Sequence, residues 1–467
     1  MVFSSLLFMF IYLPVVLAIY YIVPRRLRNL ALLAVSLVFY GWGEPLYIVI
    51  MIFSTLVDYT CGYMIEKHRA NDAVARRFVV VSVLVNLSLL IFFKYYDFIA
   101  TNLALIPGLG GLKPLGIALP IGISFYTFQT MSYTIDVYRN DAPMQKNIIN
   151  FGAYVTLFPQ LIAGPIVKYK EVAEALDHRR ETIDQFTSGI SIFMVGLGKK
   201  VLLANNIGML WDVYKAAPVS ELTVAGAWLG MIAYTFQIYF DFAGYSDMAI
   251  GLGRMLGFEF LRNFNYPYIS QSITDFWRRW HISLSSWFRE YLYIPLGGNR
   301  RGRLMTYRNL LLVWLATGIW HGASWNFVLW GLYYALILML EKAFLLKLLD
   351  KAPRPVRHLY ALVLIVFGWT LFSIENLPQM WGYFLVMIGA AGAPAIDAAA
   401  LYYLKSYLPM LVILAVASTP LLKNLYEKRL RADARAWLLP ALTAALLFIC
   451  TAYLVDATYN PFLYFRF

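Results

Sequence analysis

Apolar runs of membrane-spanning length recur along almost the whole chain, separated by short polar or basic stretches. The first extends from Phe3 to Val23. Later ones include Phe78 to Phe93, Leu115 to Ile135, Val224 to Ile250, Leu310 to Leu340, Leu359 to Phe372, Leu401 to Leu422 and Trp437 to Leu454. About 20 apolar residues cross the hydrocarbon core as a helix. Only helices and closed barrels satisfy their backbone groups there. The pattern predicts an all-α integral membrane protein, one polytopic domain over residues 1–467, with about 10–12 transmembrane helices.

Basic clusters orient these runs, because Lys and Arg are retained on the cytoplasmic side. Arg25, Arg26 and Arg28 follow the first run, which places the N-terminus outside and predicts no cleavable leader. Lys67 to Arg69 with Arg76 and Arg77, and Arg300 to Arg308, are expected to be cytoplasmic. Lys423 to Arg435 is expected there too, leaving the C-terminus outside. The run Phe151 to Val167 lies between two basic clusters, so a single crossing would break the charge rule. Pro159, Gly164 and Pro165 also interrupt it. The stretch Phe158 to Pro165 is therefore expected to be re-entrant, its free backbone groups covered by protein or water.

Composition agrees. Of 467 residues, 61% are hydrophobic and 14% charged, where a soluble domain carries about 25% charged residues. The net charge of +13 lies in clusters beside apolar runs, so topology explains it and nucleic acid is not an expected partner. Membrane lipids are. The two cysteines, Cys61 and Cys450, match no metal or redox spacing.

Candidate chemistry rests on few residues. Of five histidines, His68, His178 and His358 sit in charged clusters and read as solvated loop residues. His321 stands in an apolar segment, in Thr317-Gly318-Ile319-Trp320-His321-Gly322-Ala323-Ser324-Trp325-Asn326. An ionisable residue at membrane depth marks a functional site by default. A neutral imidazole there can serve as general base, or bond a neighbouring helix's carbonyl. His281 follows Asp275-Phe276-Trp277-Arg278-Arg279-Trp280. Helical spacing puts Trp277, Trp280, His281 and Leu284 on one face of a basic amphipathic interfacial helix. Such a helix can hold an anionic cytosolic ligand through arginine or simply lie on anionic lipid. Gln237, Asp241 and Tyr245 recur every four residues, a polar stripe on one helical face. It reads as a structural network or as a substrate path. No catalytic triad order, metal-ligand spacing or phosphate loop is present.

Taken together, several segments resemble the membrane-bound O-acyltransferase family, above all its bacterial branch for O-acetylation of alginate and other cell-surface polysaccharides. They are Met1 to Ser5, Leu119 to Gln129, Phe158 to Pro165, Asp241 to Asp247, Asp275 to His281, Pro295 to Arg300 and Trp320-His321-Gly322. Peptidoglycan O-acetyltransferases and teichoic-acid D-alanylation proteins share this plan. The resemblance implies helices around a central passage, His321 as the catalytic residue and His281 as the second functional one. It implies no bound cofactor or metal. The expected donor is a cytoplasmic acyl thioester, acetyl-CoA or a carrier-protein thioester. The acceptor lies outside, reached directly or through an extracytoplasmic acetyltransferase partner, across the plasma (inner) membrane. Trp277, Arg278, Trp280, Trp320, Asn326, Asp241 and Tyr245 are the candidate substrate contacts, with Asn326 and Trp donors for the oxyanion. The rival class is a transporter or flippase that uses His321, Asp241 and Asp247 as a proton relay.

Overall fold

The computed structural model describes residues 1–429 and 432–456. The chain is 77% helical, without strands among the described residues. Among the described residues, six helices are long and apolar enough to cross a membrane by length and composition alone. They are Ile48–Lys67, Asp72–Leu103, Ile183–Ala216, Arg354–Ser373, Ala398–Ala417 and Ala436–Asp456. Expected crossings elsewhere fall on shorter or more polar helices, such as Arg28–Gly43, Val224–Met255, Arg303–His321 and Trp325–Leu340. The protein is an all-α, multi-pass membrane protein. The expected cytoplasmic stretch Lys423 to Arg435 lies partly, and the C-terminus wholly, outside the described residues.

The chain forms two compact units. The first comprises Met1–Phe193 and Tyr245–Leu261. Its centre is the helix Ile123–Arg139, buried along nearly its whole length. Helices Ile48–Lys67 and Asp72–Leu90 pack on it and share a polar knot. The Asp58 carboxylate accepts from Ser82 Oγ at 2.5 Å and from Asn86 Nδ2 at 2.8 Å. A carboxylate among apolar helices is tolerated because these donors meet it. The expected span from Leu115 is corrected: its helix begins only at Ile123. Gly122 precedes it with φ +77°, and a Cβ there would meet the Leu161 carbonyl oxygen at 2.7 Å. That left-handed turn, beside Pro120, ends the extended approach.

The element expected to be re-entrant is a broken helix. Ile148–Thr156 is followed by the single turn Phe158–Leu161 and an extended segment, buried from Phe151 onward. Its polar groups find partners inside the protein. Phe158 N–H donates to Ser36 Oγ, Gln160 Nε2 to the Tyr154 carbonyl, and Tyr154 hydroxyl to the Val167 carbonyl.

The second unit comprises Met194–Gly244 and Arg262–Phe467. The apolar run Leu310 to Leu340 is here a helical hairpin, Arg303–His321 and Trp325–Leu340, bent at Gly322–Ser324. Small residues set how closely its arms approach. A Cβ on Gly331 would meet the Trp314 carbonyl oxygen at 2.5 Å, and one on Gly318 would strike the Phe327 carbonyl oxygen. This crossing places His321 at the tip of the first arm, one turn beyond Gly318.

Candidate active site

His321 is the last residue of its helix and is 4% exposed. Its ring lies 5.0 Å from Trp320, 5.0 Å from Trp330 and 5.3 Å from Phe372, centroid to centroid, near-perpendicular to each. An aromatic wall of this kind excludes water and fixes the imidazole plane.

His281 is fully buried. The continuous amphipathic helix expected around it is corrected to two short ones, Ile273–Arg279 and Ile282–Phe288. His281 joins them at φ +44°. The break has a tertiary cause. The extended segment beside Asn263 captures the freed backbone: Asn265 N–H donates to the Arg279 carbonyl, and Ile282 N–H to the Asn263 carbonyl. Asn263 Oδ1 also accepts from Ser283 N–H at 3.1 Å and from Ser283 Oγ at 3.0 Å, and stands 3.2 Å from His281 Nδ1. Because a backbone N–H points at that oxygen, it is an acceptor, and the imidazole must present Nδ1–H to it. Nε2 of His281 is then the proton acceptor, and it is buried without a hydrogen-bond partner among the described residues. Trp320 bridges the histidines, with its ring 6.2 Å from His281 and 5.0 Å from His321.

Trp277 packs against Trp314, Trp330 and Tyr334 at 4.6, 5.6 and 5.0 Å. The indole N–H groups of Trp277 and Trp330 and the Tyr334 hydroxyl are buried without hydrogen-bond partners among the described residues. A cavity of about 160 Å³ opens among Trp277, Leu284, Arg289, Trp314 and Thr317. Thr317 is one turn before His321 on the same helix face.

Other expected site residues are placed differently. Trp280 lies 4.8 Å from Trp369 and is 2% exposed, a core contact behind His281. Arg278 is exposed. The assignment of Asn326 as an oxyanion donor is corrected. Its Nδ2 donates to the Leu371 and Phe372 carbonyls at 3.2 and 3.3 Å, so its donors are spent holding the backbone that carries Phe372. Gln237 and Asp241 are buried as the stripe predicts, and Asp241 pairs with Lys200 at 2.6 Å, each side chain 2% exposed. Glycine again allows the approach: a Cβ on Gly244 would meet the Gly196 carbonyl oxygen at 2.7 Å. Tyr245 belongs to the first unit, stacked on Phe3 at 4.5 Å. His358 is also held, its Nδ1 3.0 Å from the Ser270 carbonyl.

Sequence reasoning missed Asn263 and Glu341. The Glu341 carboxylate accepts from Ile273 N–H, Thr274 N–H, Thr274 Oγ1 and Tyr360 hydroxyl at 2.7, 2.8, 2.6 and 3.1 Å. It therefore anchors the start of the helix that carries Trp277. The only available signal was a carboxylate closing an apolar run. Lys200, Glu341 and cavity-lining Arg289 all lie on π-helical turns, Lys199–Ala204, Glu341–Leu345 and Arg289–Tyr293. Such turns frequently occur at functional sites.

Residues 141–380, which include both histidines, match the membrane-bound O-acyltransferase family. The chain belongs to this family. It is 46% identical over 390 residues to the probable alginate O-acetylase AlgI of Azotobacter vinelandii, covering 83% of this chain and 78% of that protein. It is 35% identical over 427 residues to a peptidoglycan O-acetyltransferase of Helicobacter pylori, covering 84% and 80%. It is 28% identical over 232 residues to a teichoic acid D-alanyltransferase of Bacillus subtilis, covering 47% and 58%. The histidine hairpin and its aromatic wall thus belong to a membrane O-acyltransferase.

Proposed function

We propose that this membrane O-acyltransferase moves an acetyl group from a cytoplasmic thioester, acetyl-CoA, onto hydroxyls of an extracytoplasmic polysaccharide such as alginate. The plasma membrane is its location, and a secreted or membrane-tethered acetyltransferase partner is compatible as the final carrier. The names of relatives at 46% identity support the polysaccharide class. A single observation carries the chemistry: His321 is buried at a helix tip in an aromatic enclosure, one turn from a cavity that reaches Arg289. That cavity is smaller than the roughly 300–1,000 Å³ of drug-sized sites, which suits a short acyl group.

In this reading His321 takes the proton of the acceptor hydroxyl as its oxygen attacks the thioester carbonyl. The tetrahedral oxyanion is met by indole N–H donors, and the buried, unpaired N–H groups of Trp330 and Trp277 support this role. Collapse expels the thiolate, which takes the proton from the His321 imidazolium. Electrostatic stabilisation by a preset donor is worth roughly 3–4 kcal/mol, and a general base about 10²–10⁴-fold. Exclusion of water by the aromatic wall favours transfer over hydrolysis.

The test is His321→Gln in purified, lipid-reconstituted protein supplied with labelled acetyl-CoA and an oligosaccharide acceptor. Glutamine keeps hydrogen-bonding ability but accepts no proton at neutral pH. Its rate should fall at least about 10²-fold, as far as that of His321→Ala. Transfer at the wild-type rate by folded His321→Gln would end the general-base proposal.

A further inference from the structure

A second cavity, of about 480 Å³, lies in the first unit, far along the chain from either histidine. Five arginines line it, Arg25, Arg26, Arg28, Arg179 and Arg180, against two carboxylates, Asp177 and Glu181. The surplus is three positive charges. Sequence alone attributes these arginines to membrane orientation, but orientation needs no cavity and no burial.

The floor is constructed from paired groups. Arg28 Nη1 meets Glu181 at 2.6 Å, and its guanidinium lies over the Tyr20 and Tyr21 rings at 5.1 and 5.6 Å. Arg179, its side chain 6% exposed, donates through Nε to Tyr20 hydroxyl at 2.8 Å and through Nη1 to Asn29 Oδ1 at 2.6 Å. Tyr20 hydroxyl in turn donates to Glu181. Burial pushes the Glu181 carboxyl up, but hydrogen bonds from Tyr20 and Arg28 outweigh it and hold the group below the usual carboxylate range. Glu181 therefore stays ionised and fixes both guanidinium planes. Arg179 Nη2 and Arg28 Nε remain buried without hydrogen-bond partners among the described residues. A buried guanidinium N–H with no acceptor is costly. Above this floor Arg26 and Arg180 are exposed. Two preset guanidinium groups below and two exposed ones above make a receptor for a tetrahedral oxyanion.

We propose that this cavity binds a phosphate group, carried either by an anionic phospholipid headgroup or by a soluble phosphate compound. Basic pockets at the membrane face are known to hold lipid headgroups. The site is independent of the acyl-transfer reading, since none of its residues lies in the unit that holds His281 and His321.

The experiment is thermal unfolding of the full chain in nanodiscs of phosphatidylcholine alone. Phosphatidylglycerol is then added to the discs, or inorganic phosphate is added against chloride at equal ionic strength. At about ten times the dissociation constant, either ligand should raise Tm by about 1–3 °C. A response to phosphatidylglycerol alone identifies a headgroup site; a response to inorganic phosphate identifies a soluble ligand. The double variant Arg26→Gln/Arg180→Gln changes only exposed side chains and should lose at least half of the increment. The control Lys67→Gln/Arg76→Gln, in another basic cluster, should keep it. No increment with either ligand would overturn the proposal. So would equal losses in both variants, which would mean diffuse attraction to a charged surface.

Discussion

Replacing Asn263 with alanine isolates what positions the second histidine. Asn263 Oδ1 receives Ser283 N–H, the Ser283 hydroxyl and His281 Nδ1–H within 3.0–3.2 Å, at a site 1% exposed. Alanine removes three hydrogen bonds. The hydroxyl can turn to another acceptor, but the backbone N–H is left buried and unmet, and the imidazole N–H keeps only the long 3.5 Å contact to Ser283 Oγ. At about 1–3 kcal/mol for each stranded donor, the loss of stability should be about 2–6 kcal/mol. The imidazole also loses the acceptor that keeps its proton on Nδ1, so Nε2 no longer faces the site as a fixed acceptor. Loss of such an orienting partner typically costs roughly 10–100-fold in function. Asn263→Asp separates the two effects. The Asn263 amide nitrogen has no hydrogen-bond partner, so aspartate sacrifices no bond while keeping the acceptor oxygen. A buried carboxylate destabilises, yet the rate per folded molecule should stay within a few-fold of wild type. The measurement is acetyl transfer by reconstituted protein, normalised to the folded fraction from a thermal melt. If alanine and aspartate variants lose rate equally once normalised, Asn263 is structural only and the tautomer argument is wrong.

Glu341→Ala should cost about 3–5 kcal/mol by stranding the Ile273 and Thr274 donors. Melting of the purified variant checks this, and a shift of under 1 °C would refute the anchoring role. For the Lys200–Asp241 pair, Asp241→Asn or Lys200→Met alone should destabilise strongly, whereas the double variant should recover much of the loss. A double-mutant cycle in denaturant reads the coupling, and additive losses would mean the ions do not support one another. Gly318→Leu should prevent the hairpin from closing, so that the protein expresses poorly or runs as aggregate in size-exclusion chromatography. Single cysteines at Asn147 and Lys170 should be labelled from the same side in sealed cells if Phe158 to Pro165 is re-entrant; labelling from opposite sides would make it a true span.

What the sequence exposes and what it conceals divide along a physical line. His321 was legible because a lone imidazole in an apolar run is costly wherever the chain folds, so the cost alone marks the position. The buried stripe of Gln237 and Asp241 was legible for the same reason. The partners were not. Lys200 lies 41 residues before Asp241 and reads as a basic residue at the end of a run. Nothing local says that Gly196 and Gly244 let two helices close until the ions meet at 2.6 Å. The spacing of Trp277, Trp280, His281 and Leu284 fits a helix, and each of these residues is indeed buried. Periodicity reports which side chains face inward, and two short helices can turn the same residues inward with a break between them. The break depends on Asn263 and Asn265 arriving from outside the pattern. Asn326 misled in the opposite way: its amide looked available for an oxyanion because sequence lists donors without saying which are already spent. In an apolar bundle every carbonyl freed by a bend must find a donor, and the Leu371 and Phe372 carbonyls reach Asn326 first. Some tryptophan indoles escape that demand, although Trp228 Nε1 donates to the Met387 carbonyl at 2.9 Å. Each offers a single N–H on a large apolar body, which can be buried for its surface while the donor stays in reserve. The buried N–H group of Trp330 beside His321, and that of Trp277 packed behind Trp330, fit that use, where a polar side chain would have been drawn into the backbone's own bonding.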